Sequence, residues 1–201
     1  MSTDARNFDK TIALDYIDSV KKQFEYYKWL GEQTIHQLPE NALFEQINPD
    51  SNSVAIIVKH LSGNMLSRWT DFLTSDGEKD WRERETEFRN DIQSKAQLME
   101  IWDNGWACLQ KALEELGAED LGKEIFIRNQ GHTVVQAINR QLAHYPYHIG
   151  QIVFIGKMAL GESWKSLSIP RGNSQAYNSE KFSKPKRTEH FTDDELKRKG
   201  L

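Results

Sequence analysis

Apolar residues recur at helical spacing along four long segments of the chain, and this periodicity is the strongest constraint on its fold. The four segments cover residues 8–37, 54–74, 92–117 and 133–160. Each segment is long enough for several helical turns and carries an apolar stripe that would face a core. Because helices bury such stripes against one another, the sequence predicts an all-α fold, and a four-helix bundle is its simplest arrangement.

The links between these segments differ in character. Residues 38–52 are rich in proline and asparagine, which is typical of a loop. Residues 75–91 carry dense charge of both signs, so we expect a surface connection, which Trp81 and Phe88 could pin to the helices. This connection is longer than an ordinary helix–helix loop, so it is either functional or loosely ordered. Residues 120–132 are consistent with either a short extended segment or a small hairpin.

The helical pattern stops at Gly161. From there we predict a packed extended segment to about Tyr177, followed by a frayed polar tail. The predicted organisation is one domain over residues 1–177 and a tail over residues 178–201. A chain of 201 residues is long enough to form one domain with a substantial core.

Three histidines are candidate metal ligands. His144 and His148 lie four residues apart in the fourth predicted helix, so they extend from the same helix face. His60, in the middle of the second predicted helix, offers a third ligand. Imidazole is the commonest protein metal ligand, and the alternative is that these rings are core residues satisfied by hydrogen bonds. The remaining histidines are interpreted as helix-end, capping or tail residues without a role: His36, His132 and His190.

Polar residues near these histidines are candidate substrate-binding residues. Asn64 and Arg68 lie one and two turns past His60, on a stripe that is either the solvent face of the helix or the wall of a polar cavity. In a cavity, Arg68 would receive a substrate carboxylate through two parallel hydrogen bonds. Gln151 lies one turn past His148 and would hold a ligand ring or a bound water.

Composition and charge exclude several classes of function. The net charge is -4 and no basic face is evident, so we expect no nucleic-acid partner. No apolar run approaches the roughly 18 residues of a membrane span, and no signal peptide is evident. The single cysteine, Cys108, permits no intramolecular disulfide and lies among apolar residues, so we interpret it as a small buried hydrophobe. A cytoplasmic location is expected.

The histidines and several longer motifs resemble the DinB/YfiT-like superfamily of metalloproteins, and more closely an uncharacterised bacterial branch of it. The resemblance covers residues from about 10 to 177. The motifs that carry it are Val58-Lys-His-Leu-Ser-Gly-Asn64, Ser67-Arg-Trp-Thr-Asp-Phe-Leu73, Asp76-Gly-Glu-Lys79, Tyr147-His-Ile-Gly-Gln-Ile152 and Trp164-Lys-Ser-Leu-Ser-Ile-Pro-Arg-Gly172.

The resemblance implies a right-handed, DinB-like four-helix bundle with up-down-down-up topology, followed by a C-terminal extended segment. It also implies a divalent metal ion, nickel or zinc, on His60, His144 and His148. Many relatives are homodimers, and several transfer or isomerise substrates with bacillithiol, mycothiol or glutathione. A second copy of the chain, a low-molecular-weight thiol and a small electrophilic substrate are therefore the expected partners.

The leading hypothesis is a metal-dependent enzyme, either a low-molecular-weight-thiol S-transferase or a hydrolase. Three protein ligands leave coordination positions open, and an ion there favours a hydroxide or a thiolate at neutral pH. No carboxylate at helical spacing from the histidines stands out as a general base, so the catalytic residues stay unassigned and a loop carboxylate is one candidate source. Two alternatives remain: a non-catalytic, stress-related protein that holds a metal or ligand, and a structural domain without metal.

Overall fold

Seven helices and one two-stranded sheet occur within residues 10–198, the part of the chain that the computed structural model describes. The helices are α1 (Lys10–Gln37), α2 (Glu40–Phe44), α3 (Val54–Trp69), α4 (Lys95–Glu114), α5 (Val134–Leu160), α6 (Ser174–Phe182) and α7 (Asp193–Arg198). Short 3₁₀ turns occupy Arg84–Phe88, Ala118–Asp120 and Gly161–Ser163. The mostly helical class is therefore confirmed. Residues 8 and 9 of the first predicted helix lie outside the described part. None of the helices described is both long and apolar enough to cross a membrane.

Side-chain caps fix where three of the long helices begin. The hydroxyl oxygens of Ser53, Ser94 and Thr133 each accept a hydrogen bond from the backbone amide three residues further on, at 3.2 Å. The second predicted helix ends at Trp69 rather than at residue 74, because Asp71 has a φ of 47°, which a right-handed helix cannot continue. The third predicted helix, 92–117, is also shorter and covers Lys95–Glu114.

The long helices pack in pairs around an aromatic core. α3 packs along α4, and α1 packs along α5, while α3 with α5 and α1 with α4 make further contacts. The largest fully buried side chains include Trp102, Trp106 and Tyr145. α3 and α4 approach closely at Gly105, where a Cβ atom would lie 2.7 Å from the Cα of Ser62. The absence of a side chain at residue 105 therefore sets the distance between these two helices.

A small hairpin precedes α5, which confirms one of the two predicted forms of this region. Strands β1 (Glu124–Ile127) and β2 (Gln130–Thr133) pair antiparallel. The two turn residues, Arg128 and Asn129, have φ values of 56° and 59°, as a type I′ hairpin turn requires. Both of their backbone amides donate to the Asp76 carboxylate at 2.8 Å. Asp76 therefore ties the segment after α3 to the tip of the hairpin.

The C-terminal region differs from the predicted extended segment and frayed tail. Helix α6 begins at residue 174, and the residues that follow it pack against α1. Thr192 is fully buried, His190 Nε2 lies 3.0 Å from Ser19 Oγ, and Asp193 forms an ion pair with Lys22 at 3.1 Å. The polar composition suggested a frayed tail, but these polar groups find specific partners on α1.

Candidate metal centre

His60 of α3 and His144 and His148 of α5 lie together in space. Their ring centroids are 5.5 Å apart for His60 and His144, 4.9 Å for His60 and His148, and 4.8 Å for His144 and His148. One ring nitrogen from each histidine lies within 4.8 Å of the other two. His60 is buried and the other two rings are half-buried. The fold therefore brings together the three predicted ligands.

Each of the three imidazoles is held by a hydrogen bond at its Nδ1 atom. The pairs are His60 with Glu87 Oε2 at 2.9 Å, His144 with Gln141 Oε1 at 3.2 Å, and His148 with Gln151 Oε1 at 2.9 Å. Carboxylate and amide oxygens accept hydrogen bonds, so each Nδ1 carries the proton and donates it. In a neutral ring with this tautomer, the Nε2 atom keeps a lone pair. This neutral form of imidazole is the one that binds a metal ion.

The distance between the Nε2 atoms of His144 and His148 shows whether the cluster could hold a metal ion. Their Nε2 atoms lie 3.1 Å apart. In tetrahedral coordination at about 2.0–2.1 Å, two ligand nitrogens are separated by about 3.4 Å, which is close to this distance. Burial, together with the charges of neighbouring groups that include His148 and His60, lowers the pKa of His144 to about 3, so its ring is neutral at pH 7. Two lone pairs facing each other repel unless a cation lies between them, so the residues fit a divalent ion such as zinc or nickel.

The connection between α3 and α4 lies largely at the surface, as its charge predicted, but it closes over His60 at Glu87 and Phe88. Glu87 is 5% exposed and accepts hydrogen bonds from Arg82 Nε at 2.7 Å and Nη2 at 3.0 Å. Although burial opposes ionisation, hydrogen bonds from His60 and Arg82 hold the pKa of Glu87 below its usual range. Phe88 stacks on the His60 ring with centroids 5.3 Å apart, whereas Trp81 is 58% exposed and does not pin the segment.

Glu87 is one residue of the candidate site that sequence reasoning missed. Several acidic residues stand in the same charged segment, and none has a helical spacing relationship to His60. The unusual length of the connection was the only sequence signal, since long loops in compact domains are often functional.

The two glutamines hold the histidines of α5 from opposite directions along the helix. Gln141 lies three residues before His144, and Gln151 lies three residues after His148. Gln151 was predicted to hold a ligand ring, and the structure places it in hydrogen-bonding contact with one. Gln141 was assigned no role, although its position three residues from a histidine, on the same helix face, is a signal that could have identified it.

Asn64 and Arg68 line a pocket of about 240 Å³ beside His60 and His144. The Asn64 Oδ1 atom accepts a hydrogen bond from the Tyr145 hydroxyl at 3.1 Å. The same hydroxyl accepts one from the indole of Trp69 at 3.0 Å. Both terminal nitrogens of Arg68 donate to Glu78 Oε2 at 3.1 Å. The predicted bidentate face of Arg68 is therefore already occupied by a side chain of the protein.

The remaining histidines lie elsewhere in the fold. His36 is exposed at the end of α1. His132 is half-buried in β2, and Thr133 rather than His132 caps α5. His190 contacts Ser19 in the docked C-terminal region.

The chain matches a protein-family model over most of its length. The model of the family described as "Protein of unknown function (DUF1572)" matches residues 11–173. No curated protein and no solved structure matches the chain. The matched range contains all three histidines of the cluster together with Glu87, Gln141 and Gln151, and it ends before α6.

Proposed function

We propose that this chain, which belongs to the DUF1572 family, is a divalent-metal-dependent enzyme of the DinB-like superfamily. The observation that carries the proposal is the hydrogen-bonding pattern that the three rings share. Every Nδ1 atom is engaged by an acceptor, and these contacts leave the Nε2 atoms of His60, His144 and His148 for one ion. Zinc and nickel both suit a site made of imidazole nitrogens.

The protein groups around the histidines would fix the geometry of the site. Glu87, Gln141 and Gln151 would hold the rings in one tautomer and one orientation, as the outer partners of metal-ligating histidines do. A bound ion supplies Lewis acidity, which lowers the pKa of a water or a thiol that reaches its open position. Asn64 and Arg68 would face the substrate from the pocket wall, whereas Gln151 would act through His148.

We propose transfer from a low-molecular-weight thiol to a small electrophile as the reaction, with hydrolysis as the alternative. No carboxylate lines the pocket beside His60 and His144 within the described residues. Glu87 is already bound to His60 and Arg82, so it is not free to take a proton from a nucleophile. A thiol has a pKa of about 8.5 and water one of about 15.7, so a thiol needs far less help to ionise.

The resemblance of the sequence to the DinB/YfiT-like superfamily supports two structural proposals. The first is a four-helix bundle with up-down-down-up topology, and the second is a homodimer. The packing of α3 along α4 and of α1 along α5 agrees with the bundle. An apolar stripe on α5 agrees with the dimer, because its three members are each exposed by more than half: Tyr147 (64%), Phe154 (61%) and Met158 (62%). Exposed apolar stripes of this kind are typical of protein interaction sites.

The test of the metal site is elemental analysis of untagged wild type, His148→Ala and His36→Ala. About one divalent ion per chain in wild type and in His36→Ala, but none in His148→Ala, is the expected result. The His36 variant is the matched control, since this histidine is exposed and is not a member of the cluster. A metal-free wild type that also fails to take up added zinc or nickel would contradict the proposal.

A screen of thiol and electrophile pairs then tests the reaction. The metal-loaded wild type should consume thiol and electrophile together, and His60→Ala should not. Metal binding with no turnover of any thiol pair or hydrolysable ester would favour the non-catalytic, ligand-holding alternative. Conjugation that persists in the metal-free variant would contradict metal-dependent catalysis.

A further inference from the structure

Five arginines line the pocket of about 240 Å³ beside His60 and His144, which we call the arginine pocket: Arg68, Arg82, Arg84, Arg128 and Arg140. They come from four places in the fold: α3, the connection after it, the tip of the hairpin, and α5. No aspartate or glutamate lines the pocket among residues 10–198. A concentration of one charge in a concave site raises the local concentration of ligands of the opposite charge.

Carboxylates of the protein only partly neutralise these arginines. Glu78 Oε2 accepts hydrogen bonds from Arg68 at 3.1 Å and Arg128 at 3.0 Å, and it lies 3.7 Å from Arg82. One carboxylate is thus shared by three guanidinium groups. Glu87, which is buried, pairs with Arg82 and His60.

The remaining two arginines have weaker partners or none. Arg84 lies 3.5 Å from the exposed carboxylate of Glu85 and otherwise rests on the Phe88 ring. Arg140, on α5 one turn before His144, forms no hydrogen bond or ion pair with any residue of the described range. Arg140 and His144 line the same pocket, so this guanidinium group lies beside the histidine cluster.

Arg68 supplies an independent sign that an acceptor is missing. Its side chain is 6% exposed, and its Nε atom is buried without a hydrogen-bond partner among the described residues. A buried donor of this kind is unfavourable, because it has lost its hydrogen bond to water and gained none from the protein. The pocket that Arg68 lines therefore carries a guanidinium group whose donors the protein does not fully satisfy, and the charge of this group adds to the positive potential of the pocket.

We propose that the arginine pocket binds an oxyanion of the substrate, a carboxylate or a phosphate, next to the histidine cluster. This inference rests on the proposed function, because it assigns the pocket to the substrate of that site. Arg140 and Arg84 contact the anion with their guanidinium groups, and Arg128 closes the pocket from the hairpin. The pocket is smaller than the roughly 300–1,000 Å³ of drug-sized ligand sites, so it holds a charged group rather than a whole large ligand.

Calorimetric titration with inorganic phosphate and with succinate tests the proposal, on zinc-loaded and on metal-free protein. The variants are Arg140→Gln, the double variant Arg84→Gln/Arg140→Gln, and Arg171→Gln as the control, since Arg171 is exposed and outside the pocket. Wild type and the control should bind one of the anions with equal affinity. Arg140→Gln should bind it about tenfold more weakly, and the double variant more weakly again, because each change removes a charge-assisted hydrogen bond. The anion that binds more tightly identifies the chemical group.

The two proposals fail in distinguishable ways. Zinc binding without binding of either anion, or anion affinity that is unchanged in both pocket variants, would overturn the oxyanion pocket and leave the metal site standing. Anion binding that depends on Arg140 in a protein unable to hold zinc or nickel would support the pocket and overturn the proposed metal-dependent function. Binding that is equal in all variants but requires zinc would show that the anion binds the metal alone.

Discussion

Glu87 and His60 are 27 residues apart in the sequence, and the Oε2 atom of Glu87 lies 2.9 Å from the Nδ1 atom of His60. A carboxylate in this position fixes the tautomer of a metal-binding histidine and makes its other nitrogen a stronger ligand. Because both side chains are buried, this contact is screened little by solvent. The charged connection after α3 therefore takes part in the candidate metal centre.

Glu87→Gln should weaken zinc binding by about 10–100-fold, the usual loss when the outer partner of a ligating histidine changes. The amide keeps an acceptor oxygen but loses the negative charge that pairs with His60 and Arg82. Competition with a chromophoric chelator measures the affinity. Glu83→Gln, an exposed position in the same segment, is the control and should match wild type. Equal affinities in the two variants would show that the Glu87 carboxylate does not tune the site.

Removal of metal should lower the melting temperature of the wild-type protein. An ion present at about 100 times its dissociation constant stabilises the folded state by about 2.7 kcal/mol. For a chain of this size, that corresponds to a shift of about 5–10 °C. Scanning calorimetry with and without a chelator measures it. The melting temperature of His60→Ala should not respond to the chelator, and an equal response in this variant would place the ion elsewhere.

Tyr145→Phe should lower the free energy of unfolding by about 1–3 kcal/mol, the cost of a buried polar group left without its partner. The Tyr145 hydroxyl joins the Trp69 indole to the Asn64 side chain in the core between α3 and α5. Urea denaturation measures the change. Tyr147→Phe is the matched control, because Tyr147 is 64% exposed, and its effect should stay within about 0.5 kcal/mol. A similar small effect at both positions would contradict the proposed importance of the buried link.

Two glycine-to-alanine changes should have opposite effects on stability. A Cβ atom at residue 105 would lie 2.7 Å from the backbone of Ser62, so Gly105→Ala should destabilise the protein by about 1–3 kcal/mol. A Cβ atom at residue 150, inside α5, meets nothing within 4 Å. Gly150→Ala should therefore be neutral or stabilising by up to about 1 kcal/mol, through helix propensity. Denaturation of both variants measures the difference, and destabilisation of the same size in both would contradict the close approach of α3 and α4.

The parts of the structure that local patterns determine were predictable from the sequence. Apolar periodicity located all four long helices, since each helix buries one stripe along its length. The spacing of His144 and His148 placed their rings on one face, where they lie together. The end of α3 was predicted too late, because the apolar pattern continues through Phe72 and Leu73 although the backbone has already left the helix.

The parts that depend on contacts between distant segments were not predictable. The burial of Glu87 follows from the path of an irregular connection, and no periodicity specifies such a path. The same reason applies to the C-terminal region, where Thr192 and Asp193 find their partners on α1. A charged or polar sequence indicates only that a segment can be exposed to solvent. The partners of its polar groups depend on which other segment it packs against.

Asp76 holds the hairpin tip through main-chain amides, and this mode of support has a consequence for the evolution of the site. The contacts do not depend on which side chains residues 128 and 129 carry. The positive φ of Arg128 disfavours β-branched residues there, but it accommodates asparagine, aspartate or glycine. Position 128 can therefore change its charge while the backbone that presents it stays in place. A change at position 128 would therefore alter the pocket through the side chain alone, at the cost of the hydrogen bond that Arg128 donates to Glu78.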